Sequence, residues 1–191
     1  RSLSIKLKSE SYRIYANHTL PQDQILAFLN SKIKWLEKNI KVIQLEKEKA
    51  IECMYRNLKR SGRIVLEMGG KYNVEKIIKA LQNSLISHGF AVQAGSELWY
   101  FPSISEYTGL LEKRGFRVSY AAHFNRETKL SDTENGIKDW VRMFGSVFLK
   151  GIDEKVVDEI LNEVQTALLP THFRNGSWYA DYKRLRIIAI K

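Results

Sequence analysis

The chain has 191 residues, of which 44% are hydrophobic, enough for one domain with a packed core and a short appendage. No stretch approaches the roughly 20 apolar residues of a membrane helix, and the first residues lack the long apolar run of a secretory signal. One cysteine, Cys53, excludes an internal disulfide and favours a reducing compartment. We therefore expect a cytoplasmic protein with no membrane partner.

The net charge of +10 is unevenly distributed. Residues 1–60 carry 13 Lys+Arg against 6 Asp+Glu. Clustered basic residues favour phosphate, which makes a basic nucleic-acid-binding module one candidate function. No recognised binding motif accompanies the charge, and lysines also line the wet faces of amphipathic elements. Nucleic acid is therefore kept as the alternative partner and not as the expected one.

The first part of the chain predicts a hairpin followed by a helix. Apolar and polar residues alternate in two runs, which predicts two half-buried strands in a hairpin over 2–17. Pro21 then opens a helix with one apolar stripe. The pattern changes near 44–48, so we predict a leader over 1–45 and a second unit over 46–191.

The second unit alternates helices and strands, which predicts an α/β fold with a layered sheet. The run at 63–68 is short and apolar between turn signals, as is typical of a strand buried on both faces of a parallel sheet. Asn73 is predicted to cap the helix that follows it. The other predicted elements are a helix at 45–60, a helix ending near His88, a helix at 103–114, a strand at 116–124, a loop at 125–136, helices at 137–149 and 154–169, and a strand at 178–190.

Several segments of this unit resemble class I S-adenosylmethionine-dependent methyltransferases. The resemblance to the helix and fifth strand lies in AIECMYRNLKRSGRIVLEMGGKYN, residues 50–73. The next helix and sixth strand match YFPSISEYTGLLEKRGFRV, 100–118, and the inserted helices and last strand match WVRMFG, 140–145, and WYADYKRLRIIAIK, 178–191. The chain is most similar in type to trans-aconitate methyltransferase-like enzymes. The resemblance implies a partial Rossmann-like sheet, S-adenosylmethionine as cofactor and a small-molecule acceptor.

The resemblance also suggests acceptor-binding residues. Four aromatic residues would line an acceptor pocket, as the inserted helices do in related enzymes, namely Tyr100, Phe101, Trp140 and Phe144. The alternative is that they are ordinary core aromatics. Arg126 and Arg142 would bind an anionic acceptor through bidentate hydrogen bonds, and the alternative is that they form salt bridges. No catalytic residue can be named, because methyl transfer depends mainly on positioning of donor and acceptor.

The part of the family that binds the cofactor has no counterpart in this sequence. There is no G-x-G-x-x-G motif and no strand-turn-helix unit before residue 50. Gly69-Gly70 follows the fifth-strand equivalent and is interpreted as a tight turn. We therefore expect a truncated chain that is inactive alone. The strand at Leu66 would then be an open edge, which predicts marginal stability or a partner chain that completes the sheet.

The first segment resembles a different family. SLSIKLKSESYRIYANHTLPQDQILAFLNSKIKWLEKNI, residues 2–40, is similar to the N-terminal region of YgjP-like metallopeptidases, which bind zinc through an H-E-x-x-H helix. No two histidines of this chain have that spacing, so no metal is expected. A metallopeptidase fragment is the second alternative function.

Overall fold

The computed structural model describes residues 3–7, 12–16, 21–96 and 98–191, with side chains described for 21–32, 47–96 and 98–191. The helices within these residues are α1 Gln22–Asn57, α2 Glu75–Ser87, α3 Ala91–Ala94, α4 Ile104–Arg114, α5 Gly136–Phe144, α6 Ser146–Leu149 and α7 Glu154–His172. The strands are β1 Leu3–Leu7, β2 Tyr12–Ala16, β3 Arg63–Gly69, β4 Arg117–Asn125, β5 Thr128–Lys129, β6 Phe173–Arg174, β7 Ser177–Ala180 and β8 Lys183–Ile190.

The first strands form the predicted hairpin pairing. β1 and β2 are antiparallel, with Leu3 opposite Ala16 and Leu7 opposite Tyr12. The turn predicted at 9–11 lies outside the described residues. The period-2 pattern of the sequence therefore identified both strands and their pairing.

α1 is one continuous helix, so the prediction of two separate helices in this region was wrong. It begins directly after Pro21 and ends at Asn57. Residues 40–48 contain neither glycine nor proline and are mostly good helix formers, so nothing in them ends a helix. The predicted boundary between 45 and 46 falls inside this helix, and the division into two units stays a prediction.

The main sheet has three strands in the order β3-β8-β4. β8 is antiparallel to both neighbours, and its Ile187 lies opposite Leu66 on one side and Ala121 on the other. β3 and β4 therefore run in the same direction without touching. The mixed helix-and-sheet class is confirmed, whereas the expectation of a parallel sheet was wrong for these strands, because both pairings are antiparallel.

One face of this sheet, called here the closed face, is covered by α1 and α4. Leu185 and Ile187 of β8 are both 0% exposed there. They pack with Ile51 of α1 and Leu111 of α4. Burial of such side chains contributes about 1.5–3 kcal/mol each, so this contact stabilises the sheet.

α4 has the boundaries that its sequence signals predict. The Ser103 side chain accepts a hydrogen bond from the Glu106 backbone N–H at 3.2 Å, which satisfies one of the first free donors of the helix. Gly115 ends the helix with φ +107°, a conformation that glycine adopts without steric cost. α4 is thereby fixed over the closed face.

The opposite face of the sheet, called here the open face, is largely uncovered. Val65 of β3 is 61% exposed and Tyr120 of β4 is 46% exposed. Side chains alternate between faces along a strand, and antiparallel partners share a face. The open face consists of Arg63, Val65, Glu67, Gly69, Arg117, Tyr120, Ala122, Phe124, Arg184, Arg186, Ile188 and Ile190. The prediction that β3 is buried on both faces was therefore wrong.

A second core lies among α2, α5, α7 and β7. Its fully buried members include Leu81, Ile137 and Ile160. The small sheet β5-β7-β6 lies beside it. Three predictions need correction here: Gly145 divides the helix expected at 137–149, the loop at 125–136 contains β5, and the strand expected at 178–190 is interrupted at 181–182.

Asn73 does not cap α2 as predicted. It is 6% exposed, and its side-chain oxygen accepts a hydrogen bond from the Lys183 backbone N–H at 2.7 Å. Val74 stands at the cap position with φ +50°. The Asp181 carboxylate accepts the Lys76 backbone N–H at 3.0 Å, so a residue far along the chain supplies the cap. This replacement could not be deduced from local sequence.

Candidate functional site

The glycine turn after β3 is filled by side chains of the chain itself. A Cβ on Gly69 would lie 2.5 Å from the Phe101 ring, and one on Gly70 would lie 2.5 Å from the His123 ring. A cofactor-binding glycine turn needs that space free so that the cofactor can approach the backbone. The turn therefore serves packing and leaves no room for S-adenosylmethionine at these two glycines.

The same turn has an unusual backbone held in place by long-range hydrogen bonds. Tyr72 has φ +67°, the left-handed region that costs non-glycine residues energy. The Gly70 N–H donates to the Lys183 carbonyl and the Lys71 N–H to the Pro102 carbonyl, both at 2.9 Å. The ammonium groups of Lys71 and Lys183 lie 5.2 and 5.4 Å from the Tyr72 ring centroid. The turn is thus tied both to β8 and to the start of α4.

A cleft of about 420 Å³ lies between α5 and the segment that precedes it. Its apolar wall includes Trp140 and Phe144, whose ring centroids are 5.4 Å apart. The Trp140 indole N–H donates to the Tyr182 hydroxyl at 2.8 Å, which fixes the ring. Met143 is 71% exposed and Phe144 44% exposed. The cleft presents apolar surface to solvent, as a small-molecule site does.

The charged groups of the cleft are Lys129, Asp132 and Asp139. Asp132 also shapes the cleft, since its carboxylate accepts hydrogen bonds from the backbone N–H groups of Asn135 and Glu134. These hydrogen bonds lower the pKa of Asp132, and the one from Asn135 has the largest effect. The carboxylate therefore stays charged while it holds the loop at the entrance.

The two arginines predicted to bind an acceptor lie elsewhere. Arg142 pairs with Glu154 at 2.6 Å and Asp158 at 2.5 Å, and the hydrogen bond that Arg142 donates to Glu154 is the main cause that raises the Arg142 pKa. Arg126 pairs with Glu67 at 2.9 Å. The structure thus brings Trp140 and Phe144 together at the cleft. Tyr100 and Phe101 do not line it, and both arginines are salt-bridged outside it. Their roles in acceptor binding stay predictions.

Three arginines converge on Glu67 at one end of the open face. Besides Arg126, the Nη2 of Arg186 lies 2.6 Å and the Nε of Arg184 3.3 Å from its carboxylate oxygens. The hydrogen bond from Arg186, then that from Arg184, holds the pKa of Glu67 below its usual value. This cluster was not predicted, although the alternation Arg184-Leu185-Arg186-Ile187 indicates a strand with one basic face.

Other candidates from the sequence have no site around them. Cys53 is exposed, and the Asn57 side-chain nitrogen lies 3.5 Å from its sulfur. Within the described ranges, no group of three or more His, Cys, Asp or Glu residues is placed to hold a metal ion. The lysines at 33–46 lie outside the described side chains, so nucleic-acid binding there stays a prediction. None of the described helices combines the length and apolar character needed to cross a membrane.

The chain is therefore a mixed helix-and-sheet protein with an apolar cleft and a basic sheet face. No family profile matches it. It is similar to a protein named uncharacterized methyltransferase C70.08c from Schizosaccharomyces pombe, with 28% identity over 169 residues. The match covers 87% of this chain and 62% of that relative, so the chain spans less than two thirds of the relative's length. Residues 46–191 make up less than 87% of the chain, so the similarity extends into the segment before them.

Proposed function

We propose that this chain is a methyltransferase-family protein of the class I, S-adenosylmethionine-dependent type, acting on a small molecule in the cytoplasm. In this proposal it supplies the acceptor side of the enzyme and needs another segment to hold the methyl donor. The similarity to the S. pombe methyltransferase is the observation that carries the assignment. The narrower likeness to trans-aconitate methyltransferases rests on the sequence motifs.

The sheet supports the proposal. The segments that resemble the fifth, sixth and last strands of the family are β3, β4 and β8, and these lie side by side in one sheet. Among the described residues, β3 pairs only with β8, so its other edge is free. A Rossmann-like sheet would continue from that edge through strands supplied by another segment or a partner chain. An unpaired strand edge is a template for such pairing.

The methyl donor has no fitted place among the described residues. S-adenosylmethionine would supply an electrophilic methyl group, but Phe101 and His123 occupy the space above the glycine turn after β3. The proposal therefore assigns donor binding to the missing strands and no step of the reaction to this turn. This chain contributes positioning of the acceptor, which alone is a large part of catalysis by proximity.

The cleft at α5 is the proposed acceptor site. Trp140, fixed by its hydrogen bond to Tyr182, and Phe144 would hold the apolar part of a small acceptor. Asp132 and Asp139 would face polar groups of the acceptor at the entrance. A few polar groups in an apolar cleft are the usual arrangement for orienting a small ligand.

Calorimetric titration with S-adenosylmethionine tests the proposal. The purified chain should show no binding up to about 1 mM donor, an affinity of only about −4 kcal/mol. The same titration is then made on the chain co-expressed with the portion of the S. pombe relative that lies outside the match. We expect micromolar binding by that pair. Micromolar binding by the chain alone would contradict the missing donor site, and failure of both to bind would contradict the methyltransferase assignment.

A further inference from the structure

The open face of the sheet has the size of one helix. Its outer strands β3 and β4 are two strand spacings apart, about 10 Å, which is the diameter of a helix with side chains. Register sets its residues in four rows across the strands, namely Arg63–Ile190–Arg117, Val65–Ile188–Tyr120, Glu67–Arg186–Ala122 and Gly69–Arg184–Phe124. These rows span about 20 Å along the strands, equal to about 13 residues of helix. The Phe101 ring already lies against Gly69 at one end of the fourth row.

The second row is apolar and uncovered. Val65 is 61% and Tyr120 46% exposed, and Ile188 between them is only half-buried. Layered folds bury both faces of a sheet when helices are available to cover them. The closed face of the same strands already has α1 and α4. The open face therefore lacks one covering layer within the described residues.

The charges around this apolar row are almost all positive. The rows contain four arginines, Arg63, Arg117, Arg184 and Arg186, against the single carboxylate of Glu67. Glu67 is already shared by three guanidinium groups. Arg63 and Arg117 are exposed at the opposite end and have no carboxylate partner among the described side chains. An element that covers this face must bring carboxylates to both ends.

We propose that the open face binds an amphipathic helix whose apolar stripe is bordered by Asp and Glu residues. This inference rests on the proposed function for the origin of the helix, which we assign to the segment that holds the methyl donor. More than a third of the S. pombe relative lies outside the match, which leaves ample length for such a helix. The complementarity of the face itself does not depend on that origin.

Fluorescence anisotropy with the full chain tests this surface. The probe is a labelled helical peptide of about 18 residues, five turns, with leucines on one stripe and glutamates bordering it. The comparison peptide carries lysine at each glutamate position. We expect the glutamate peptide to bind at least about tenfold more tightly at low salt, and the difference to shrink as added salt screens the charges.

Two matched pairs of variants identify the surface. The double variant Arg63→Glu, Arg117→Glu should reverse the preference toward the lysine peptide, whereas Lys155→Glu, an exposed site on α7, should leave it unchanged. Val65→Asp should weaken the glutamate peptide about tenfold, whereas Ile86→Asp, at an exposed apolar site on α2, should not. Circular dichroism on each variant establishes that the fold is retained.

Four results would overturn the inference. The first is equal binding of the two peptides, and the second is a preference for the glutamate peptide that persists in the Arg63→Glu, Arg117→Glu variant. The third is tighter binding of a single-stranded oligothymidine than of the glutamate peptide at the same arginines. The fourth is a stable dimer, detected by sedimentation, that excludes the peptide. If the peptide binds but the co-expressed pair does not bind S-adenosylmethionine, the methyltransferase assignment is wrong and the helix-binding surface is retained. If the pair binds S-adenosylmethionine but the chain does not bind the peptide, only the helix-binding surface is contradicted.

Discussion

The two faces of the β3-β8-β4 sheet belong to the same strands and have opposite character. Ile187 on the closed face is 0% exposed, whereas Val65 on the open face is 61% exposed. The same sheet therefore meets a packed core on one side and solvent on the other. The closed face accounts for the stability of the sheet, and the open face remains available for another element.

Arginines illustrate the same contrast. On the closed side, Arg114 of α4 donates two hydrogen bonds to Glu52 of α1, and its guanidinium lies 3.9 Å from the Tyr55 ring centroid. That pair is balanced in charge and links the two covering helices. On the open face, arginines outnumber the carboxylate that they share. An excess of one charge indicates a surface adapted to a partner and not to internal packing.

The largest expected effect comes from two neighbouring isoleucines of β8. Ile187→Ala removes a fully buried side chain from the closed face and should cost about 2–5 kcal/mol in free energy of unfolding. Ile188→Ala makes the same chemical change on the open face and should cost about 1 kcal/mol or less. Urea denaturation of both variants measures the difference. Equal losses of unfolding free energy in the two variants would mean that the open face is covered in solution, and would contradict the difference between the two faces.

A smaller effect is expected from two glycines. Gly70→Ala would place a methyl group against the His123 ring and disturb its 2.9 Å hydrogen bond to the Lys71 carbonyl, which should cost about 1–3 kcal/mol. Gly109→Ala, in the α4 helix with nothing near its Cβ, should stabilise the chain by about 0.5–1 kcal/mol. Thermal unfolding compares them. Higher stability of Gly109→Ala would mean that α4, which covers the closed face, is strengthened. Unchanged stability of Gly70→Ala would show that the turn is not tightly packed.

The smallest expected effect concerns the pH dependence due to Glu67. Its pKa is lower in the folded chain, so its stabilisation is complete above the usual glutamate pKa of about 4.3 and is lost as the pH falls through the lower folded value. Glu67→Gln should therefore flatten the decrease in stability below about pH 4.3. It should also slightly lower stability at neutral pH, because the three arginines then repel one another. Chemical denaturation at several pH values measures this, with Glu159→Gln as the control, and an unchanged profile would contradict the role of the cluster.

Local signals in the sequence predicted the elements that local interactions determine. α4 begins at a capping serine, Ser103, and ends at Gly115, and both boundaries were predicted. Predictions failed where the local structure depends on residues that are distant in the sequence. Asn73 bonds to Lys183 and not to its own helix, and β3 is open on one face because no described element covers it. The prediction of two helices in place of α1 was wrong for another reason. The sequence composition changes near residues 44–48, but that change does not interrupt the helix.

The candidate site was predictable to a similar extent. Trp140 and Phe144 are four residues apart on one helix, so their proximity follows from helical spacing. The placement of Arg126 beside Glu67 follows instead from the pairing of three strands, which a single sequence does not specify. The cleft charges at Asp132 and Asp139 were not singled out, because aspartates before or within the first turn of a helix are common.

The strand order also determines when the sheet can assemble. β8 is the middle strand, yet it is the last of the three to be synthesised. Glu67 and Arg186, which meet across β3 and β8, are 119 positions apart. β3 and β4 leave the ribosome first but share no ladder, so both must wait for β8, and contacts so distant in sequence form slowly. During that interval Ile64 and Leu66 lack the neighbours that β8 supplies to the core of the closed face, Leu185 and Ile187, which makes the nascent chain a candidate client of chaperones.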